Sequence, residues 1–456
     1  MTQPFKKSIF FKYWLVFFAT LSNTAWLIGG LNQAFYVQFQ EVFHLTNTQI
    51  GMLDSFGNIG GFIGGFVGGF LADKFSPKKL TALGSVLAGL VAIWEANSHS
   101  YTFLVIIYII LTFTTNVLLS APYFKLLKLI GTNKEQGKIM TFSETSYAIV
   151  IILGDYGFLA LISAWNLSFQ TALICLGLFC IIIGICIQLF YKEEGILKEE
   201  TRLKELKRDK KNLNETKNIG HQKTNFIADY IKVLKMPILW LNVFASMSIS
   251  LLMQFGLTYS NPYLVNVLGF SAGFASFILI GMKNSLRIII SPFGGIARDK
   301  FGDSTVVLKA VAVPMIICAV LIAVLPFGGT FSAVCYFILI FLVAIGIYLV
   351  TGLQYTLVED AKVPVKYVGR VWGVMFLGET LSHVFRGYLC GRILDTFGNN
   401  GFRIIYLFLA ASAVSCLIIA LITHKVCQNK TALGMDIQAE ADADINLENE
   451  TILEEM

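Results

Sequence analysis

The sequence predicts an all-α polytopic membrane protein with twelve transmembrane helices in two six-helix halves. Three observations predict it: an apolar composition, a rhythm in the placement of Lys and Arg, and an internal repeat. Of the 456 residues, 55% are apolar and only 14% charged, where an ordinary soluble domain carries about 25% charge. With 38 Phe and a mean hydropathy of +0.68, a water-soluble fold would expose far more apolar surface than one core can bury. A soluble enzyme is therefore excluded, and the bilayer is the solvent.

Crossing about 30 Å of hydrocarbon takes roughly 20 apolar residues. Lys and Arg are missing from 13–73, 80–124, 139–191, 236–282 and 310–361. Each gap is the length of two helices and a short loop, so each reads as a hairpin that leaves the cytoplasm and returns.

The first span, 13–39, follows Lys6, Lys7 and Lys12; it is long enough to cross and has no small-residue cleavage site, so it reads as helix 1 and not a signal peptide. The second, 49–72, is glycine-rich: Gly57, Gly61, Gly65 and Gly69, with Gly60, Gly64 and Gly68 beside them, permit close helix approach. Such smooth faces would also let helices 2 and 11 slide. Spans 80–97 and 101–122 lie between Lys78, Lys79 and Lys125, Lys128, and 139–163 and 168–191 between Lys138 and Lys192. In the second half the spans are 238–258, 271–297, 306–325, 331–357, 367–393 and 403–425. The last hairpin departs from the rhythm, because Arg386, Arg392 and Arg403 fall inside it. Trp14, Trp94, Trp165 and Trp240 stand near span ends as interfacial anchors. The basic clusters place both termini in the cytoplasm.

Between the halves, residues 192–235 hold twelve basic and eight acidic residues, a net of +4. This is a solvated cytoplasmic linker near anionic lipid. The tail after Cys427 has one Lys and eight acids and is expected to be disordered. The organisation is thus 1–191, 192–237 (linker), 238–426 and 427–456. Seven of the eight cysteines lie in apolar runs and behave as small hydrophobes; neither a disulfide framework nor a metal cluster is indicated.

The repeat is GGFLADKF at 68–75 and GGIARDKF at 294–301, each closing the second helix of a half. Parallel repeats of this kind build transporters whose site lies between the halves near the midplane. At these residues the chain resembles the major facilitator superfamily, whose loop 2-3 signature Gly69, Asp73, Lys74, Lys78 and Lys79 match. Ser76 and Pro77 depart from its second glycine and its usual Arg, so the turn should be shaped differently. The second copy keeps Gly295, Asp299, Lys300 and Gly302. The resemblance covers about 12–425. The stretches AFYVQFQEVFHLTNTQIG (34–51) and NKEQGKIMTFSET (133–145) look like a YihN-like bacterial subgroup. Family drug exporters carry an Arg in helix 4 and a Gly-Pro motif in helix 5; their absence disfavours multidrug antiport.

A charge inside the bilayer costs at least ~2.5 kcal/mol and is a functional candidate by default. Asp54 lies on helix 2, Glu144 and Asp155 on helix 5, Lys283 and Arg287 on helix 8, and Glu379, His383 and Arg386 on helix 11. In the fold that this chain resembles, helices 2, 5, 8 and 11 border the cavity and 3, 6, 9 and 12 form the outer support. Lys283, Arg287 and Ser291 share one face, as do Glu379, His383 and Arg386. Lys283, Arg287 and Arg386 outnumber Glu379, so the second half's cavity is net cationic with His383 neutral, and an anionic substrate would supply the counter-charge. Arg offers a fork for carboxylate, sulfonate or phosphate oxygens, Lys a point charge. Glu379 and Arg386 could instead only neutralise each other.

Glu144, Tyr147, Ile151 and Asp155 share one face of helix 5, and a buried carboxylate there could carry a proton; Asp155 is deeper than Glu144, which could also be a helix-end charge. Helix 7 carries Asn242, Ser246, Ser250, Gln254 and Thr258 at a spacing of four, helix 1 offers Asn23, Trp26, Gly30 and Gln33, and helix 10 Tyr348, Thr351, Gln354 and Tyr355. These stripes suit a wall that hydrogen-bonds a polar solute, or plain helix packing.

The expected function is secondary active transport of a small anion (organic anion, carboxylate, phosphate or sulfonate ester) by alternating access. Lys283, Arg287, Arg386 and His383 would hold the anion with Asn242, Gln254, Asn23, Trp26, Gln33 and Tyr355. Asp155, or Glu379 with His383, would couple protons, with Glu144 a further candidate. Gly69, Asp73, Lys78, Lys79 and Asp299 would form the cytoplasmic gate. Two alternatives are an anion exchanger without proton coupling and a non-transporting receptor or scaffold. Catalysis has no support, since neither a phosphate-binding Gly-rich loop nor a His-Glu-x-x-His spacing occurs. No cofactor or nucleic acid is expected; the partners are the anion, protons and the lipid of the cell's inner membrane, and the expected unit is a monomer.

Overall fold

The computed structural model describes residues 9–130, 136–191, 231, 233–353, 357, 360, 363 and 365–429. Among these, all regular structure is helical. The first helix, α1, is built of pieces: Ile9–Thr20, a tighter turn Leu21–Thr24, Ala25–Ala34 and, past a break at Phe35, Tyr36–Phe43. Then come α2 (Asn47–Lys74), α3 (Pro77–Ala96), α4 (Tyr101–Thr115, continued by Asn116–Ser120 and Ala121–Ile130), α5 (Gln136–Ser163) and α6 (Phe169–Phe190). The second set is α7 (Pro237–Met253, Gln254–Thr258, Ser260–Asn266), α8 (Ala272–Ile280, Gly281–Ser285, Leu286–Phe301), α9 (Ser304–Val324), α10 (Thr330–Thr351), α11 (Val365–Phe397) and α12 (Asn400–Gln428). Eleven of these are long and apolar enough to cross a membrane. The twelfth, α11, is less apolar because it carries the charges that make it a site candidate.

Starts and stops follow local chemistry. Ser76 caps α3 by accepting from the Lys79 amide, with Pro77 as the first helical residue. Ser168 and Ser271 cap α6 and α8 in the same way. The two repeat copies turn differently, as their sequences imply: the first leaves α2 through Ser76 in an extended conformation, the second leaves α8 through Gly302 at φ 68°, a left-handed position that glycine adopts without strain.

The chain divides into two compact units, one of Met1–Leu45 and Phe56–Gln222, the other of Thr46–Ser55 and Lys223–Met456. In the first unit α3 packs most extensively on α6, and in the second α9 packs on α12. The α3 and α6 backbones nearly touch, since a Cβ on Gly89 would stand 2.3 Å from the Gly177 carbonyl oxygen. The glycine face of α2 meets α4: a Cβ on Gly60, Gly64 or Gly68 would come within 2.8, 2.7 and 2.7 Å of carbonyl oxygens of Ile109, Phe113 and Asn116. At the start of α2 the close approach is to α11: a Cβ on Gly51 would stand 1.8 Å from the Gly387 carbonyl oxygen, and one on Gly391 2.3 Å from that of Asn47. Trp14, Trp94, Trp165 and Trp240 are all exposed, as interfacial anchors are.

The first ten residues assigned to the second unit were not foreseen. Asp395, near the end of α11, accepts from the Asn47 amide (3.0 Å), the Asn47 side chain (2.9 Å) and the Thr48 amide (2.8 Å), and so caps the start of α2. Partial burial alone would raise this carboxyl, but the hydrogen bonds from Thr48 and Asn47 outweigh it and hold it below the usual carboxylate range. A lowered acid stabilises the fold at pH above its unfolded value, and that contribution is lost as pH falls through the folded value. Asp395→Asn is therefore expected to remove one component of acid destabilisation below pH 3.8. Asp395→Ala should cost about 1 kcal/mol at neutral pH as a lost cap. Thermal unfolding of the wild type and both variants from pH 3 to 7 checks both; identical pH profiles would refute the cap.

Candidate functional site

In the second unit, local irregularity and polarity coincide. Two helices lose their α-register at wide π-turns, Gln254–Thr258 in α7 and Gly281–Ser285 in α8; such turns recur at functional sites. The first presents Gln254 and the second Lys283, both singled out from sequence.

At the α7 turn, the Gln254 amide nitrogen lies 3.0 Å from His383 Nδ1, and Gln254 Oε1 accepts from the Thr258 hydroxyl. Ser250 is 3.5 Å from His383 Nε2 and accepts from Ser382, at 2.7 Å. The predicted stripe on α7 therefore faces α11, and Asn242, Ser246, Ser250, Gln254 and Thr258 are all buried. At its far end the Asn242 amide and the Ser246 hydroxyl have no hydrogen-bond partner among the described residues.

Arg386 is 1% exposed. Its Nη2 donates to Asp54 Oδ2 at 2.7 Å, while Nε and Nη1 are buried without a hydrogen-bond acceptor among the described residues. Asp54 belongs to the 46–55 segment, where the Ser55 hydroxyl also donates to the Val384 carbonyl, at 2.6 Å. A charge balance drawn from sequence leaves Asp54 out because it lies 332 positions away; with it, Arg386 is ion-paired through Nη2. Lys283 is half-buried and Arg287 exposed. The Tyr348 hydroxyl donates to the Lys283 carbonyl at 2.5 Å, and Arg287 acts electrostatically on Tyr348 and Glu379. Arg287 is exposed midway along α8, where facing hydrocarbon would carry a large penalty.

In the first unit, the Tyr123 hydroxyl of α4 lies 2.8 Å from that of Thr20 and hydrogen-bonds Ser143 and Asn23. This ties α1, α4 and α5 into one polar cluster. Asn23 is thus engaged, while Trp26 and Gln33 are half-buried on the same helix. Asp155 is 7% exposed. Glu144 is exposed, which suits the helix-end charge better than a buried proton carrier.

At the repeat, Lys78 is half-buried and Lys79 exposed; the side chains of Gly69 and Asp73 lie outside the described residues, as does Tyr355. Lys125 donates to the Ala72 carbonyl at 2.6 Å, tying α4 to the end of α2. In the second copy Asp299 pairs with Arg298 at 3.2 Å, and Arg298 reaches Asp360 at 2.8 Å. Asp360 also accepts from the Ser304 amide, and the adjacent Asp303 contacts His424 at 2.7 Å. Partial burial of Asp303 is outweighed by hydrogen bonds from Thr305 and by His424, which hold its carboxyl below the usual range. Sequence reasoning missed Tyr123, Asp360, Ser382 and Asp395, whose partners lie on other helices at no fixed spacing.

The model of the Major Facilitator Superfamily matches residues 13–386. The inner membrane protein YqcE of Escherichia coli (strain K12) is 24% identical over 385 residues, covering 81% of this chain and 84% of that protein. The inner membrane protein YihN of the same organism is 26% identical over 303 residues, covering 63% and 66%. Among solved structures, the nucleoside transporter NupG matches with a TM-score of 0.67 at 14% identity, over 91% of this chain and 99% of that one. A bacterial homologue of the human lysosomal transporter Spinster matches at 0.63 and 14%, over 94% and 97%. A peptide transporter POT in complex with sulfate matches at 0.67 and 12%, over 92% and 95%.

Proposed function

Since this chain belongs to the major facilitator superfamily, and so is a multi-pass membrane transporter and not an enzyme, we propose that it moves a small anion by alternating access with proton coupling. The observation that carries the reading is the convergence of Lys283, Arg287, Arg386 and His383 with neutral hydrogen-bonding side chains where α7 and α8 lose their regular register. Fixed positive charge in a low-dielectric site draws an anion, and π-turns supply the local freedom that a binding site needs. Arg287 is the anion-facing guanidinium, because Arg386 is engaged by Asp54. Asp155, buried in the first unit, and Glu379, beside Arg287, are the proton carriers. By analogy with its E. coli relatives, the chain works in the inner membrane; the basic clusters of its sequence argue for cytoplasmic termini, and the working unit is a monomer.

Arg287→Ala tests this. The variant should reach the membrane at near wild-type folded yield, because the side chain is exposed. It should also lose the thermal stabilisation that anions give the purified wild type, which at 100 times the dissociation constant is ~2.7 kcal/mol. Retained stabilisation by the same anions would sink the assignment of Arg287, and stabilisation of the wild type by neutral or cationic solutes alone would sink the anion reading.

A further inference from the structure

We infer that Glu95 of α3 is a proton-coupling site of the first unit, holding a proton in the state described here and releasing it when this end of α3 opens to water; this rests on the proton-coupled transport reading above. Glu95 is 0% exposed and stands one residue before the end of its helix. Neither of its carboxyl oxygens has a hydrogen-bond partner among the described residues. The Tyr108 hydroxyl of α4 stands beside the carboxyl, beyond the length of a formed hydrogen bond. Helical side chains lean toward the start of their own helix. Across the α3–α4 hairpin, Glu95 therefore points into its span and Tyr108 points out toward it.

An ionised carboxylate taken out of water needs a cation or several donors, and the surroundings of Glu95 offer neither. The main elements packed on α3 are α6, α4 and residues 21–34 of α1. Neither α6 nor 21–34 has an acidic or basic side chain. The lysines of α3 and α4, at 78, 79, 125 and 128, lie at the opposite ends of these helices, 16 or more residues from Glu95 or Tyr108, which is about 24 Å of helix rise. His99 in the connecting loop is exposed. The other titratable side chains on these elements are tyrosine phenols and cysteine thiols, neutral at pH 7. A hard metal cation would need several more oxygens than Glu95 and one hydroxyl present. The neutral acid is the form that fits.

Loss of the proton acts beyond α3. Tyr108 packs edge-on against Phe39 of α1, with ring centroids 6.4 Å apart, and a Cβ on Gly57 of α2 would stand 3.7 Å from its ring. One turn further, Thr112 donates to the Gly57 carbonyl at 2.6 Å. A carboxylate formed at Glu95 draws the Tyr108 hydroxyl and water toward itself, and so loosens the place where α4 meets α1 and α2. Because α2 begins in the second unit and continues in the first, the proton acts on a helix shared by both.

The test uses the full-length protein in detergent at pH 7 and pH 9, comparing the wild type with Glu95→Gln, which copies the neutral acid, and with Asp155→Asn and Glu379→Gln. If Glu95→Gln gives no folded protein, Glu95→Met carries the same comparisons. The infrared absorption of protonated carboxyl groups at pH 7 should lose one component in Glu95→Gln. From pH 7 to pH 9 the thermal midpoint of the wild type should fall at least about 3 °C further than that of Glu95→Gln. Hydrogen exchange of the two proteins should match at pH 7; at pH 9 the wild type should exchange at least about tenfold faster at amides around Gly57 and Tyr108. An unchanged infrared band, or midpoints that move together, shows that Glu95 holds no proton and overturns the inference. A midpoint difference without the exchange difference makes Glu95 a packing acid with no coupling role, and overturns it as well. Either result leaves the anion reading to its own test at Arg287. If the infrared band is unchanged in Glu95→Gln, Asp155→Asn and Glu379→Gln alike, the proton coupling of the transport reading falls together with Glu95.

Discussion

Asp54→Ala is expected to cost most of the folded yield. The substitution leaves the Arg386 guanidinium, 1% exposed, without its only hydrogen-bonded carboxylate among the described residues. Breaking a buried pair from one side costs on the order of 3–5 kcal/mol, because the remaining charge has neither water nor a partner. Arg386→Ala should be similarly severe, whereas Asp54→Leu with Arg386→Met, which removes both charges at comparable volume, should recover much of the folded protein. Yield of monodisperse protein after detergent extraction and thermal midpoints of the two single variants and the double variant give the coupling energy directly. Additive losses in the double variant would mean that the pair is not a unit and that the two residues are held by other contacts.

Gly51→Leu should have the second largest effect, and a local one. A Cβ at Gly51 would stand 1.8 Å from the Gly387 carbonyl oxygen, and one at Gly387 would stand 2.1 Å from the Gly51 oxygen. No rotamer relieves a clash with backbone, so the start of α2 must leave the second unit. The Asp395 cap, the Ser55 bond to Val384 and the Asp54–Arg386 pair then break together. Hydrogen exchange should report it: amides of 46–55 exchange faster in the variant, while those of α3 and α6, which belong to the first unit, keep the wild-type rate. Transport should fall with it if the docking of 46–55 is one of the two states of the cycle. Unchanged protection at 46–55 would mean that the backbone shifts to accept the side chain, and that the close approach has no functional weight.

The twelve helices were legible in the sequence, because a bilayer demands long apolar runs and the positive-inside bias marks where they end. The α7 stripe was legible too, since a spacing of four is a helix face whatever that face meets. That the first repeat turn differs in shape was expected from Ser76 and Pro77. What the sequence could not determine was which partners the faces find. The glycines of α2 announce close packing, but only the fold assigns 57–68 to α4 and Gly51 to Gly387. Asp54 reads as an isolated intramembrane charge and Arg386 as a neighbour of Glu379 on one helix face; the Asp54–Arg386 contact spans 332 positions, and no periodicity relates residues on different helices. The pairing changes the chemistry inferred from the same residues, because it sets a carboxylate against one of the three cations counted from sequence. Helices and their polar faces are properties of neighbours in sequence, governed by a 1.5 Å rise and 3.6 residues per turn. Charge balance in a site is a property of neighbours in space, and only tertiary structure decides it.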